Sequence, residues 1–294
     1  MTERQEHRQE VRSFLQAHLS IREWAFLIPR GTGTETYFAQ GSGQDYFVKV
    51  GAPVERYIVM AEIGLAPPVI IVGQLESGLS ILVQPRIAGR RPSRIDYHSQ
   101  LEKVAALIHK MHHCPQAERI LPATPSNFHK EAGLSALRHL QQKWQTFRAQ
   151  VPTVSRFVDD SLEVLSQQIN SFSGEGLVVS HNDICNANWL FTPGGEIYLI
   201  DFESMSMDDP ACDIGALLWW YYPPELRGRF LEIVGYDHDP VFEFRMRVRM
   251  AMHCLDITLP REHSLDEFDP YTYPEALTDF RAILAGEENP QGYG

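Results

Sequence analysis

Five polar side chains, His181, Asn182, Asp183, Asn186 and Asn188, crowd into eight residues directly after the apolar pair Val178-Val179. Polar density of this kind at the end of a buried strand marks a site, because function collects on loops that a rigid element positions. Beyond it, Trp189-Leu190-Phe191 and Ile197-Tyr198-Leu199-Ile200 flank Pro193-Gly194-Gly195 and read as a β-hairpin closed by Gly194-Gly195. In that register Phe191 faces Tyr198 and Asn188 faces Asp201. An amide oxygen beside a carboxylate is a hard-oxygen pair suited to Mg²⁺ shared with substrate phosphates. Asp183, five residues before Asn188, is a carboxylate outside that pair. One group to accept a hydroxyl proton, and metal ligands to neutralise charge on the moving phosphate, are what phosphoryl transfer requires. The competing reading is a polar loop capping a hairpin, its acids merely solvated.

The pattern His-x-Asp-x4-Asn followed by Asp-Phe resembles the catalytic and metal-binding loops of the aminoglycoside phosphotransferase and choline kinase-like family, relatives of the protein kinases. His181-Asn182-Asp183 and Ile200-Asp201-Phe202-Glu203 resemble the choline kinase branch in particular. Glu203 stands where a protein kinase carries Gly, which points to a small-molecule kinase. The resemblance implies ATP as donor, Asp183 as base or hydroxyl-orienting group, and Asn188 and Asp201 on Mg²⁺. It also implies an α+β, bilobal protein kinase-like fold. Residues 1–84 would form a small antiparallel β-sheet lobe that binds nucleotide, 85–89 a hinge, and 90–294 a larger, mainly helical catalytic and acceptor-binding lobe.

Several elements must position these groups. Val11, Phe14, Leu15 and Leu19 recur at helical spacing within residues 3–19, an amphipathic helix expected to pack on the first lobe. From Trp24 the pattern turns to short strands, WAFLIP, ETYFAQ and DYFVKV, separated by glycine-rich turns, which reads as an antiparallel meander. Gly31-Thr32-Gly33-Thr34 joins two strands, so it is not a dinucleotide-binding turn, which opens a helix and needs a third Gly. It serves either as an ordinary hairpin or as a glycine loop over nucleotide phosphates, since glycine lets the backbone approach closely. Lys49 interrupts the apolar run Tyr46-Phe47-Val48, and a lysine is seldom buried without a partner; a solvent-facing lysine on an edge strand is the alternative.

In the resembling family a strand lysine after the glycine loop binds the phosphates and is held by a helix glutamate. Glu55 and Glu62, seven apart on the next helix, share roughly one face, and Glu55 aligns better. Pro67-Pro68 is expected to end that helix. Two strands, 69–73 and 79–83, follow, and then Gln84-Pro85-Arg86-Ile87 resembles the family's hinge, with the Pro85 carbonyl and the Ile87 N–H on the adenine. Asp213 matches a family aspartate that braces the catalytic loop.

From Ser99 the chain is mainly helical. His109, His112, His113 and Cys114 could in principle hold zinc, but no second ligand cluster accompanies them, and the family ends this helix in a similar histidine segment. Trp219-Trp220-Tyr221-Tyr222 could contribute an aromatic cage for a cation, although on one helix at most two of the four can line one pocket. Glu203, Trp219 and Tyr222 are the candidate acceptor contacts.

The 294 residues are 44% hydrophobic, enough for one large domain or two lobes. Charges at the N-terminus replace the apolar core of a secretory signal, no run is long enough to span a bilayer, and the four cysteines are scattered singly, so a cytoplasmic protein with free thiols is expected. The net charge of −12 is uneven. Up to residue 200, acids and bases balance at nineteen each; from Asp201 onward nineteen acids face seven arginines and no lysine. Such a field repels nucleic acid and acidic membranes and attracts cations, so neither is expected as a partner, and the small-molecule hydroxyl acceptor is expected to bear an amine. Choline, ethanolamine, thiamine, an aminoglycoside, an amino acid or a sugar are the acceptors weighed. The rival from another class is a non-catalytic nucleotide-binding sensor with the same fold.

Overall fold

The computed structural model of the chain describes residues 3–28, 35–149, 152, 155–257, 259 and 272–294. The Gly31, Thr32, Gly33 and Thr34 turn lies outside the described residues. Contacts divide the chain into two compact units, Met1–Arg91 with Ala187–Ser204, and Pro92–Asn186 with Met205–Gly294.

The first unit begins with α1 (Glu3–Leu19) and continues through β1 (Ala25–Leu27), β2 (Thr36–Gly41), β3 (Gln44–Val50), α2 (Val54–Glu62), β4 (Ile71–Gln74) and β5 (Ser80–Pro85). The five strands form one antiparallel sheet in the order β1-β2-β3-β5-β4. Val11 and Leu15 of α1 are fully buried against Tyr37, Val48, Ile81 and Val83, so the helical stripe seen in the sequence covers one face of the sheet. Strand β3 is central, and its alternating burial gives way to continuous burial at Val48-Lys49-Val50. Lys49, opposite Thr36 on β2 and Leu82 on β5, is therefore no edge lysine; it is only 5% exposed.

Helix α2 stops earlier than the prolines require. Gly64 at φ 74° places its N–H on Ala61 O at 3.0 Å and the Leu65 N–H on Met60 O at 2.9 Å, a Schellman closure that only a residue tolerant of left-handed backbone makes cheaply. Pro67-Pro68 follows a helix that has already ended.

The second unit holds α3 (Arg94–Ser99), α4 (Leu101–His112), α5 (Pro115–Ile120), α6 (His129–Phe147), α7 (Ser155–Asn170) and β6 (Val178–Ser180). The chain then returns to the first unit for β7 (Trp189–Phe191) and β8 (Ile197–Leu199), and closes in the second with β9 (Ser206–Asp208), α8 (Ala211–Tyr221), α9 (Pro224–Val234), α10 (Pro240–Ile257) and α11 (Thr272–Ala285). Strand β6 pairs with β9, and α8 packs on α10 and α10 on α11. Among the described residues no helix is long and apolar enough to cross a membrane.

The β7–β8 hairpin forms, but one residue out of the expected register. Phe191 faces Ile197 and Trp189 faces Leu199. The loop is three residues, Pro193-Gly194-Gly195, closed by Thr192 N–H to Glu196 O at 3.0 Å and Gly195 N–H to Thr192 O at 3.1 Å, with Gly195 at φ 87°. This is a type I turn followed by a left-handed glycine, the usual three-residue hairpin, and Pro193 fits its first corner because φ is already set. Asn188 consequently faces Ile200, whose N–H it receives at 2.8 Å, and Asp201 follows one residue later at φ 71°.

Three attachments explain why this hairpin belongs to the first unit. Leu199 N–H donates to Leu65 O at 2.8 Å, Arg90 and Phe191 exchange hydrogen bonds at 3.0 and 2.9 Å, and Gly89 lies so close to Leu190 that an added Cβ would sit 3.2 Å from the leucine's own.

Candidate active site

Asp183 belongs to the second unit, in the loop after β6. Two residues upstream, His181 is completely buried, and its Nδ1 accepts the Asp183 N–H at 3.3 Å. The carboxylate of Asp213, one turn into α8, accepts the N–H of His181 at 2.8 Å and that of Asn182 at 3.0 Å, and the Nε2 of His112 lies 3.2 Å away. Asn182 adopts φ 63°, a conformation that asparagine tolerates better than most residues, so the bend that turns the chain toward Asp183 is fixed by a side chain thirty-odd residues away in sequence. Burial alone would raise the Asp213 carboxyl; the hydrogen bond and charge of His112 and the charge of His181 outweigh it and hold the group below its ordinary value. At the far end of the loop, the Asn186 N–H donates to the phenolic oxygen of Tyr221 at 2.8 Å, whose ring stacks on Tyr97 at 4.3 Å.

Asn188, Asp201 and Lys49 belong to the first unit. The Ile200–Asn188 hydrogen bond sets the ends of β7 and β8 side by side, so Asn188 and Asp201 remain close in the chain's path despite the altered register. Lys49 reaches from β3 to Asp201 Oδ1 at 2.7 Å. Its ammonium also donates to the Tyr57 hydroxyl at 2.9 Å and pairs with Glu203, and Tyr57 in turn donates to Glu203 Oε2 at 2.8 Å. Burial, then the neighbouring carboxylates of Glu203 and Asp201, push the Tyr57 phenol far above its ordinary value, which keeps it a donor. Burial, then hydrogen bonding to Asp201, likewise raises the Glu203 carboxyl against the pull of Lys49.

Three expectations need correction at this point. Glu55 is not the partner of Lys49: both Glu55 and Glu62 are exposed on α2, while Tyr57 presents the face that meets the lysine. Glu203 is engaged with Lys49 and Tyr57 within the first unit and does not stand open as an acceptor contact. Tyr222 is completely buried among Tyr97, His98 and Phe230, which makes it a core residue. Trp219 is partly exposed; it lines a cavity of about 90 Å³ with Met246, Met250 and Arg227, and among the described residues its indole N–H has no acceptor.

Of the residues expected at the hinge, Pro85 ends β5 and Ile87 follows it. Arg86 N–H donates to Asp45 O at 3.0 Å and Gly89 N–H to Ile87 O at 3.0 Å, while the Ile87 N–H has no partner among the described residues. The histidines at the end of α4 and just after it each serve the fold: His109 meets Val234 O at 2.8 Å, His113 meets His109 O at 2.9 Å, and His112 bridges Tyr236 and Asp213. Sequence reasoning missed Tyr57, the bracing of the Asn186 N–H by Tyr221 and two buried ion pairs, Arg245–Asp209 at 2.9 Å and Arg249–Asp208 at 2.6 Å. Asp208 and Asp209 were legible as acids; the arginines that neutralise them recur on one side of α10, four residues apart.

A sequence model of the phosphotransferase enzyme family matches residues 27–245. Among solved structures, the fold is similar to choline kinase LicA from Streptococcus pneumoniae, at 17% identity over 94% of this chain and 99% of that one, with a TM-score of 0.65. A choline/ethanolamine kinase family protein from Mesorhizobium loti gives 18% identity over 97% and 96% of the two chains, TM-score 0.65. Spectinomycin phosphotransferase in complex with ADP and spectinomycin gives 14% identity over 94% and 98%, TM-score 0.61. These likenesses establish the protein kinase-like α+β fold, and the family match spans most of the chain: it belongs to the phosphotransferase enzyme family.

Proposed function

We propose that the protein transfers the γ-phosphate of ATP to a hydroxyl of a small, amine-bearing molecule in the cytoplasm. The observation that carries this reading is Lys49, a cation buried in the central strand and aimed at Asp201. A buried ammonium so placed suits the phosphates of a nucleotide, as a compact point charge with three donors. The Ile87 N–H, without a partner among the described residues, is a donor available to the adenine, and the Pro85 carbonyl is the matching acceptor two residues before it.

Asn188 and Asp201 fit Mg²⁺: both offer hard oxygens, they sit at adjacent strand ends, and two protein ligands leave positions for phosphate oxygens and water. When bound, the ion would neutralise charge on the phosphates. Asp183 would accept the proton of the acceptor hydroxyl, or orient that hydroxyl for in-line attack. The loop that carries it is braced at one end by Asp213 and at the other by Tyr221, so the carboxylate is pre-positioned and pays little ordering entropy on substrate binding.

The acid excess after residue 200 supports a cationic acceptor. So does the character of the similar proteins, a choline kinase and a phosphotransferase solved with spectinomycin. Trp219, partly open beside a cavity, remains the candidate acceptor contact. The test is an ADP-release assay across hydroxyl-bearing amines, aminoglycosides and sugars. Turnover with an amine-bearing alcohol supports the reading; nucleotide binding without turnover on any acceptor would favour a sensor.

A further inference from the structure

Lys49 is held in an arrangement that the family pattern does not supply. Its ammonium has three N–H donors and finds three oxygens, on Asp201, Tyr57 and Glu203. Asp201 is the oxygen that a nucleotide's metal would claim. A lysine this deeply buried needs a partner that stays when Asp201 turns away. Resting on the nucleotide-binding reading above, we propose that Tyr57 and Glu203 are the positioning pair for Lys49, taking the place of a helix glutamate.

The geometry favours this pair over Glu55. Residues two apart on a helix are turned from one another by about 200°, so the face of α2 that gives Tyr57 to the lysine cannot also give Glu55. Tyr57 is 2% exposed, and its hydroxyl accepts from Lys49 at 2.9 Å while donating to Glu203 at 2.8 Å, which links strand lysine and helix through one oxygen. Both members of the pair are themselves fixed. The Arg56 guanidinium holds the main chain of Phe202 and Glu203 with hydrogen bonds of 3.0 and 2.6 Å, and the Phe202 ring meets Tyr57 edge-on at 5.2 Å and 84°. The negative charge that a helix glutamate would carry is thus supplied by the residue two places after the metal aspartate, and the helix contributes a neutral relay.

Two measurements test the assignment. In metal-free buffer with EDTA, calorimetric titration of ATP is expected to show Kd raised on the order of tenfold in Tyr57→Phe and in Glu203→Gln, and changed less than twofold in Glu55→Gln. Tighter binding by Glu203→Gln would overturn the proposal by showing that the carboxylate competes with phosphate. Equal weakening by Glu55→Gln would overturn it too. The second measurement needs no nucleotide: in an Asp201→Asn background, where the other carboxylate is gone, acetic anhydride labelling of Lys49 read by peptide mass spectrometry should rise on the order of tenfold on adding Glu203→Gln, and stay level on adding Glu55→Gln. Labelling unmoved by Glu203→Gln sinks the pair whatever the nucleotide does. A wild-type protein that binds no ATP would instead sink the functional reading, and the labelling would still decide the role of the pair. Tyr57→Phe, which removes a single oxygen, guards against a variant that merely fails to fold.

Discussion

The carboxylate of Asp213 accepts the backbone N–H groups of both His181 and Asn182, at 2.8 and 3.0 Å, and thereby sets the bend on which Asp183 stands. In Asp213→Asn one acceptor oxygen becomes a donor facing a donor in a fully buried site. Unfolding free energy is expected to fall by about 3 kcal/mol, read by urea denaturation. The same carboxyl is held below its ordinary value, so its contribution is complete above the unfolded value of about 3.9 and is lost as pH falls through the lower folded value. Between pH 5 and 2, roughly, the wild type should therefore lose stability more steeply than Asp213→Asn. Parallel pH profiles would contradict this role.

Asp183→Ala is expected to lower kcat by about 10²- to 10⁴-fold, the usual contribution of a general base. Nucleotide affinity should hardly change, because the residue is assigned to the acceptor hydroxyl. Turnover within threefold of wild type would remove it from that assignment.

Asp201→Asn should weaken ATP binding more in the presence of magnesium than Asn188→Ala does, since a carboxylate brings a full charge to the ion. Because Asp201 also pairs with Lys49, the informative quantity is the difference between titrations with and without magnesium. A loss of the same size under both conditions would argue against a metal role.

For a cationic acceptor, KM should rise with ionic strength, because screening shortens the protein's field to roughly 8 Å at physiological salt. The KM for ATP should move less, or the other way. An uncharged sugar as best acceptor, with a salt-independent KM, would leave the acid excess as a solubility feature.

The candidate residues could be picked out of the sequence because phosphoryl transfer calls for particular residue types at particular spacings. What was not legible depends on geometry. The hairpin at Gly194-Gly195 could close with two or three loop residues; the left-handed demand of the three-residue loop falls on Gly195 alone, and adjacent glycines do not say which of them takes it. The partner of Lys49 was sought on α2 by sequence distance, whereas helix rotation gives that face to Tyr57 and leaves the charge to a residue more than a hundred and fifty positions on. Tyr222 looked like a cage member because an aromatic run does not reveal which rings face inward; Tyr222 is completely buried, and Tyr221 beside it nearly so.

The return of residues 187–204 to the first unit also bears on how such proteins can be recombined. A fragment ending at Arg91 would keep the sheet but lose the backbone partner of Leu65 and both carboxylates that neutralise Lys49, leaving a stranded cation in the middle strand. Exchanging first units between relatives by a single cut near residue 91 would combine a lysine from one parent with the acids of another. A chimera that respects the molecule needs three junctions, one near residue 91 and one at each end of the hairpin segment, so that the lysine and its anions are inherited together.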